Sequence, residues 1–154
     1  MAPRAKVITV SDGVVAGTRE DRSGAAVAEL LERAGFTVER RSVADGVDSV
    51  RLALTDACAA FAGLVVTTGG TGFGPRDLTP EGTRLVLERE APGLAEAMRL
   101  VNPLGRLSRG LAGSVGEALV LNVPGSSAGA VECLDAVLDV LPHALELLVG
   151  GRPH

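Results

Sequence analysis

Residues 64–81, LVVTTGGTGFGPRDLTPE, read in order as a buried strand, a glycine-rich loop, an Arg-Asp pair and a helix start. Leu64, Val65 and Val66 form the short apolar run of a strand covered on both faces. Gly69, Gly70, Gly72 and Gly74 take positive φ without penalty and let backbone N–H groups approach an anion closely. Thr79, Pro80 and Glu81 supply an N-cap, a proline at the first helical position and an acid in the first turn. Arg76 and Asp77 lie between loop and helix, a phosphate-seeking charge beside a metal-seeking one. Glycines alone make only a tight turn. The order of strand, Gly-Gly-Thr-Gly, Arg-Asp and Thr-Pro-Glu is what makes the stretch specific.

On the amino-terminal side, residues 5–10 (AKVITV) read as a strand ending at Ser11-Asp12-Gly13. Asp21 or Ser23 caps a helix running to about Ala34, with Val27, Leu30 and Leu31 at helical spacing and Gly35 as its stop. Residues 36–43 form a more polar strand, hence one nearer an edge, and Ala44-Asp45-Gly46 turns the chain into a helix over residues 48–61. On the carboxyl side, the spacing predicts a helix over 79–90, a break at 91–93 and a second helix stopping at Asn102-Pro103. Residues 104–116 read as a short helix or an irregular strand around Ala112. Residues 118–123 (ALVLNV) are a strand leading into Pro124-Gly125-Ser126, and a final helical pattern continues to Gly150 with a break or kink at Pro142. The β-α-β order implies one α/β domain over residues 1–154, a mainly parallel sheet with helices on both faces.

Composition removes several function classes. The longest apolar runs are too short to span a membrane, and MAPRAKVITV enters a strand without a signal-peptide core, which reads as cytoplasmic. Cys58 and Cys133 fall in helical apolar patterns and read as reduced core thiols; they, His143 and His154 offer no zinc spacing. A net charge of −4 and only three aromatics, Phe36, Phe61 and Phe73, argue against nucleic acid. The chain has no Gly-Lys pair for a Walker A loop, Lys6 being its sole lysine. A G-x-G-x-x-G run from Gly70 and Gly72 fails at Pro75, and no Gly-x-Ser-x-Gly elbow has a suitably placed histidine.

In an open α/β sheet, ligands bind beyond the carboxyl ends of the strands. Four loops belong to that edge: Ser11-Asp12-Gly13, Ala44-Asp45-Gly46, residues 69–77 and Pro124-Gly125-Ser126. Three of them carry an aspartate just after a strand. The pattern suggests a phosphate cradle beside carboxylates able to hold Mg²⁺.

GGTGFGPRDLTPE resembles the signature of the Mog/MoaB family of molybdenum-cofactor biosynthesis, and the similarity extends over nearly the whole chain. Ser11-Asp12 with Asp21-Arg22-Ser23-Gly24, Ala44-Asp45, Glu96-Ala97-Met98-Arg99, Leu107-Ser108-Arg109 and Leu121-Asn122-Val123-Pro124-Gly125-Ser126 are similar to its other blocks. The resemblance implies a three-layer α/β fold that binds molybdopterin and transfers AMP from Mg-ATP to its terminal phosphate, releasing pyrophosphate. The alternative it leaves is a non-catalytic molybdopterin carrier or scaffold. It places the two essential, Mg²⁺-holding acids on Asp45 and Asp77. Gly69, Gly70, Thr71 and Gly72 are then the phosphate cradle, faced by Pro124, Gly125 and Ser126, with Ser11 and Asp12 in the first block. Arg76 is divided between ligand contact and a surface salt bridge, and Ser108 and Arg109 are candidates for pterin contacts. The resemblance further implies a homotrimer or hexamer and a downstream molybdate-insertion protein. One departure stands out: many members carry Pro-Lys after Pro-Gly-Ser, whereas this chain has Ser127-Ala128-Gly129 and lacks that cation.

Overall fold

The structure, a computed structural model, describes residues 2–151; the expectation for His154 lies outside them. Its frame is a six-stranded sheet. β1 (Arg4–Val10), β2 (Thr37–Val43), β3 (Gly63–Thr68) and β6 (Ala118–Val123) are mutually parallel, while β4 (Arg89–Glu90) and β5 (Ala112–Val115) extend one side antiparallel. The order is β2-β1-β3-β6-β5-β4, so the polar β2 is indeed an edge strand and the apolar β3 is central and buried throughout.

Alternation along the strands sorts the core into two layers. Val7, Leu64, Val66, Leu119 and Leu121 pack with α2 (Arg22–Arg33), α5 (Pro92–Arg99), α6 (Ser127–Asp135) and α7 (Leu141–Leu148) on one face. Ile8, Val10, Val65 and Val120 pack with α3 (Val47–Cys58) on the other. The three-layer α/β expectation holds. Cys58 and Cys133 are buried and free, one in each layer, and burial pushes the Cys58 thiol up to about 11, so it stays protonated. No helix among the described residues is long and apolar enough to cross a membrane.

One boundary differs from the sequence reading, and two open alternatives are resolved. The helix expected over 79–90 is only α4 (Thr79–Arg84). The Val86 and Leu87 N–H groups both fall back on the Thr83 carbonyl, and residues 88–91 then pair with β5 through Glu88 N–H to Ser114 O (3.0 Å) and Ala91 N–H to Ala112 O (2.8 Å). A sheet edge overrode helix propensity. The ambiguous 104–116 segment contains both alternatives, a 3₁₀ turn at Pro103–Leu107 and then β5. Of the break or kink expected at Pro142, the structure shows the break: the pattern is divided into α6, a 3₁₀ turn at Leu138–Val140 and α7, with Pro142 in the first turn of α7.

Asn122 pins the antiparallel side to the parallel half. It is 2% exposed; its Oδ1 accepts the Leu111 N–H (2.9 Å), and its Nδ2 donates to Thr67 Oγ1 (2.8 Å) and Thr83 Oγ1 (3.1 Å). Asn122→Ala strands a backbone donor and removes a shared partner from two buried hydroxyls. The expected loss is about 2–4 kcal/mol of unfolding free energy, read by urea denaturation.

Candidate functional site

Because β1, β2, β3 and β6 are parallel, their carboxyl ends share one edge, and a cavity of about 1260 Å³ opens there. Ser11, Asp45, Gly69, Gly70, Thr71, Gly72, Asp77, Ser108, Pro124, Gly125 and Ser126 all line it. Asp12, Arg76 and Arg109, also expected at the ligand, do not line it. They hold the wall from behind.

The glycine loop is shaped by close backbone approach. Gly69 (φ +107°) donates its N–H to Val123 O (3.1 Å), and a Cβ there would stand 2.4 Å from Val10 O. Its amide is therefore committed to the fold, while the residue itself lines the cavity. The N–H groups of Gly70, Thr71 and Gly72 are not taken up by backbone hydrogen bonds of the described residues. Thr68 Oγ1 donates to Pro124 O (2.8 Å), joining this loop to the Pro-Gly-Ser loop. Thr79 does not act as the N-cap. Leu78 occupies that position, and Thr79 Oγ1 instead donates to Gly69 O (2.8 Å), latching the loop onto α4.

The two acids have different supports. Asp45 and Asp12 are reciprocally bonded: Asp12 N–H donates to Asp45 Oδ2 (2.9 Å) and Asp45 N–H to Asp12 Oδ1 (3.1 Å). Arg76 closes the arrangement, its Nε and Nη2 forking onto Asp12 (3.1 Å each) while Nη2 also donates to Asp45 O (3.0 Å). Arg76 thus ties together the loops after β1, β2 and β3, and its guanidinium holds the Asp12 carboxyl below the usual carboxylate range. Asp45 moves the other way: burial raises it, the Asp12 N–H opposes that, and the charges of Asp12 and Asp77 raise it further. Asp77 Oδ2 accepts the Gly74 N–H (2.9 Å), which folds the loop's end around the carboxylate.

Arg109 buttresses the loop from below. Its N–H donates to Thr71 O (2.9 Å), Nε to Gly72 O (2.8 Å), Nη2 to Asp77 O (2.6 Å) and Nη1 to Glu81 Oε2 (2.6 Å). These bonds commit its side chain to the fold.

Comparison with known proteins agrees with this geometry. Residues 6–143 match the model of a family described as a probable molybdopterin binding domain. The chain belongs to that family. It is 37% identical over 153 residues to the molybdopterin adenylyltransferase of Helicobacter pylori strain J99, covering 94% of this chain and 87% of that protein. The Escherichia coli K12 molybdopterin adenylyltransferase is 32% identical over 169 residues, covering 96% and 86% respectively. Among solved structures, the molybdopterin biosynthesis enzyme MoaB of Thermus thermophilus is 46% identical, with a TM-score of 0.90 over 98% of each chain. The Mog protein of Mycobacterium ulcerans is 41% identical, with a TM-score of 0.89 over 97% of this chain and 99% of that one.

Within this molybdopterin-binding domain, sequence reasoning missed parts of the cavity. One wall comes from residues 19–23, where the sequence marks Asp21 as a helix cap and as part of a family block but not as lining. It does cap α2, accepting the Gly24 N–H (3.0 Å), but it also binds Thr9 Oγ1 (2.8 Å) and Arg40 Nη2 (2.8 Å). Ala95, Met98 and Cys133 form an apolar part of the lining, and helical spacing shows only that they face inward.

Glu81 makes the buttress pH-dependent. Its bond to Arg109 depresses the carboxyl below its ordinary value, and burial opposes this more weakly. A depressed folded-state value contributes stability above the unfolded glutamate value, roughly 4.3, and loses it as pH falls through the folded one. Glu81→Gln therefore lowers Tm at neutral pH, and the gap from wild type closes on acidification below the glutamate range. Tm measured against pH for both proteins checks this.

Proposed function

We propose that this chain is a molybdopterin adenylyltransferase using Mg-ATP. The observation that carries the reading is the meeting of Asp45, Asp77 and the amides of residues 70–72 in one cavity. At about 1260 Å³ it exceeds the few hundred to ~1000 Å³ of a single small-ligand cleft, which suits a reaction between two ligands. Support comes also from the names of the H. pylori and E. coli relatives.

The donor set fits magnesium rather than a protein-caged metal. Asp45 and Asp77 each give one carboxylate oxygen to a loop N–H, and their other oxygens carry no hydrogen bond from the described residues. No group of three or more His, Cys, Asp or Glu that would hold a metal occurs among the described residues. Mg²⁺ prefers one or two carboxylates, with waters and substrate phosphates completing its octahedron. Bound between the two acids, it would neutralise charge developing on the phosphates.

The chain's own residues then perform the positioning. The amides of Gly70, Thr71 and Gly72 hold a phosphate against the positive ends of loop dipoles. Ser126 and the start of α6 line the same cavity. An oxygen of the pterin's terminal phosphate attacks the α-phosphorus of ATP, the bond from that phosphorus to the bridging oxygen breaks, and pyrophosphate leaves. Positioning and charge neutralisation supply most of the rate. Self-association as a trimer or hexamer and transfer of the product to a molybdate-insertion protein belong to the same proposal.

A carrier would bind molybdopterin without consuming ATP. Calorimetric titration with molybdopterin beside a pyrophosphate-release assay separates the two. Binding with ATP-dependent release supports the transferase; equally tight binding with no release makes the chain a carrier.

A further inference from the structure

A phosphate-transfer cavity lined by five carboxylates needs cations. Glu20, Asp21, Asp45, Asp77 and Glu132 all line it, against three cations among the described lining residues, Arg19, Arg22 and Arg99. Lys6 is remote, donating to Ala57 O at the end of α3. Arg99 gives Nη1 to Gly110 O (2.8 Å), and Arg22 turns toward Glu20 (3.3 Å). Asp21 is matched by Arg40, which does not line the cavity. The Arg19 guanidinium has no ion pair or hydrogen bond with any described residue.

The base of Arg19 is nonetheless fixed. The chain leaves α1 (Asp12–Val15), and Gly13 O accepts the N–H groups of both Thr18 (3.0 Å) and Arg19 (3.2 Å), with Thr18 Oγ1 as a third donor (3.2 Å). A Cβ on Gly13 would come 3.2 Å from the Arg19 Cβ, so the glycine lets the Arg19 stem lie against α1. The result is an anchored backbone carrying an uncommitted guanidinium on an exposed residue that lines the cavity. A guanidinium recognises a phosphate through paired, charge-assisted N–H···O bonds.

We propose that Arg19 is a substrate-binding residue that pairs with a substrate phosphate, supplying the cation that the Ser127-Ala128-Gly129 wall does not. The inference rests on the adenylyltransferase reading. The phosphate comes either from the triphosphate of ATP or from the terminal phosphate of molybdopterin. Arg22 and Arg99 each have a partner in the fold; Arg19 has none among the described residues.

The test is calorimetric titration of wild type, Arg19→Gln and Arg19→Lys with Mg-ATP and, separately, with molybdopterin, at two salt concentrations, with Tm measured throughout. Arg19→Gln weakens one or both ligands about 10-fold at unchanged Tm, and flattens the salt dependence for the ligand affected. Arg19→Lys recovers part of the loss. The affected arm identifies the phosphate. Wild-type-like affinity of Arg19→Gln for both ligands, in a protein that turns over, overturns the role of Arg19 and leaves the transferase intact. Weaker binding accompanied by a lowered Tm overturns it in favour of a structural role. Wild type that binds neither ligand overturns both readings.

Discussion

Asp77→Asn lowers AMP transfer by about 10²–10³-fold and leaves Tm close to wild type. The substitution separates the two duties of this side chain. Asp77 Oδ2 receives the Gly74 N–H at 2.9 Å, and an asparagine Oδ1 in the same place accepts the same bond. Gly72 and Gly74 crowd the carboxylate, hypothetical Cβ atoms on them lying 3.0 and 2.8 Å from Oδ2, so the side chain has little freedom to turn away. What disappears is the negative charge and the second acceptor oxygen that, on the proposed reading, would hold Mg²⁺. Asp45 remains as a single carboxylate, its own acidity weakened by burial. Single-turnover kinetics at saturating Mg-ATP should show the loss in the chemical step, and raising Mg²⁺ should recover only part of it. Activity within a few-fold of wild type would remove Asp77 from the metal site.

Gly70→Val has the larger structural effect and is expected to abolish phosphate binding as well. Gly70 sits at φ +69°, a region that β-branched residues rarely enter. A Cβ there would stand 2.2 Å from Thr79 Oγ1, which cannot move without leaving its bond to Gly69 O. It would also stand 3.4 Å from Asp45 Oδ1. Backbone strain of about 1–3 kcal/mol adds to a broken buried hydrogen bond of about 1–3 kcal/mol. The expected total is roughly 2–6 kcal/mol, with Mg-ATP binding below detection even where the variant remains folded at low temperature. Unfolding by denaturant and calorimetry on the same sample check both parts. Gly70→Ala, with the same φ penalty and contact but no branched side chain, should fall between the two.

Much of this architecture is legible in the chain because strand, loop and helix signals agree locally. The apolar run at Leu64–Val66 is central in the sheet, the polar β2 is at its edge, and the four loops predicted for one edge do surround one cavity. Failures occur where a distant partner decided the outcome. Residues 85–90 carry a helical pattern, but β5 offered them a strand to pair with. Thr79 stands where an N-cap belongs, yet the Gly69 carbonyl ten residues earlier takes its hydroxyl. For Arg76 the sequence leaves ligand contact and salt bridge open, and the structure shows the salt bridge to Asp12; Arg109, beside a serine, reads as a ligand contact. Their hydrogen bonds go to Asp12, Asp45 O, Gly72 O, Asp77 O and Glu81, which no spacing rule reveals. Arg19 was missed for the converse reason: its significance is the lack of a partner, visible only after the other charges are placed.

On the proposed reading this cavity joins AMP to the phosphate of molybdopterin. The most direct test is to incubate the purified protein with molybdopterin and ATP labelled at the α-phosphate, in the presence of Mg²⁺, and follow the label. The account predicts label in the pterin product with one pyrophosphate released per label transferred, and none when Asp77→Asn replaces wild type under the same brief incubation. Molybdopterin that binds the wild-type protein while all label remains in ATP would contradict it.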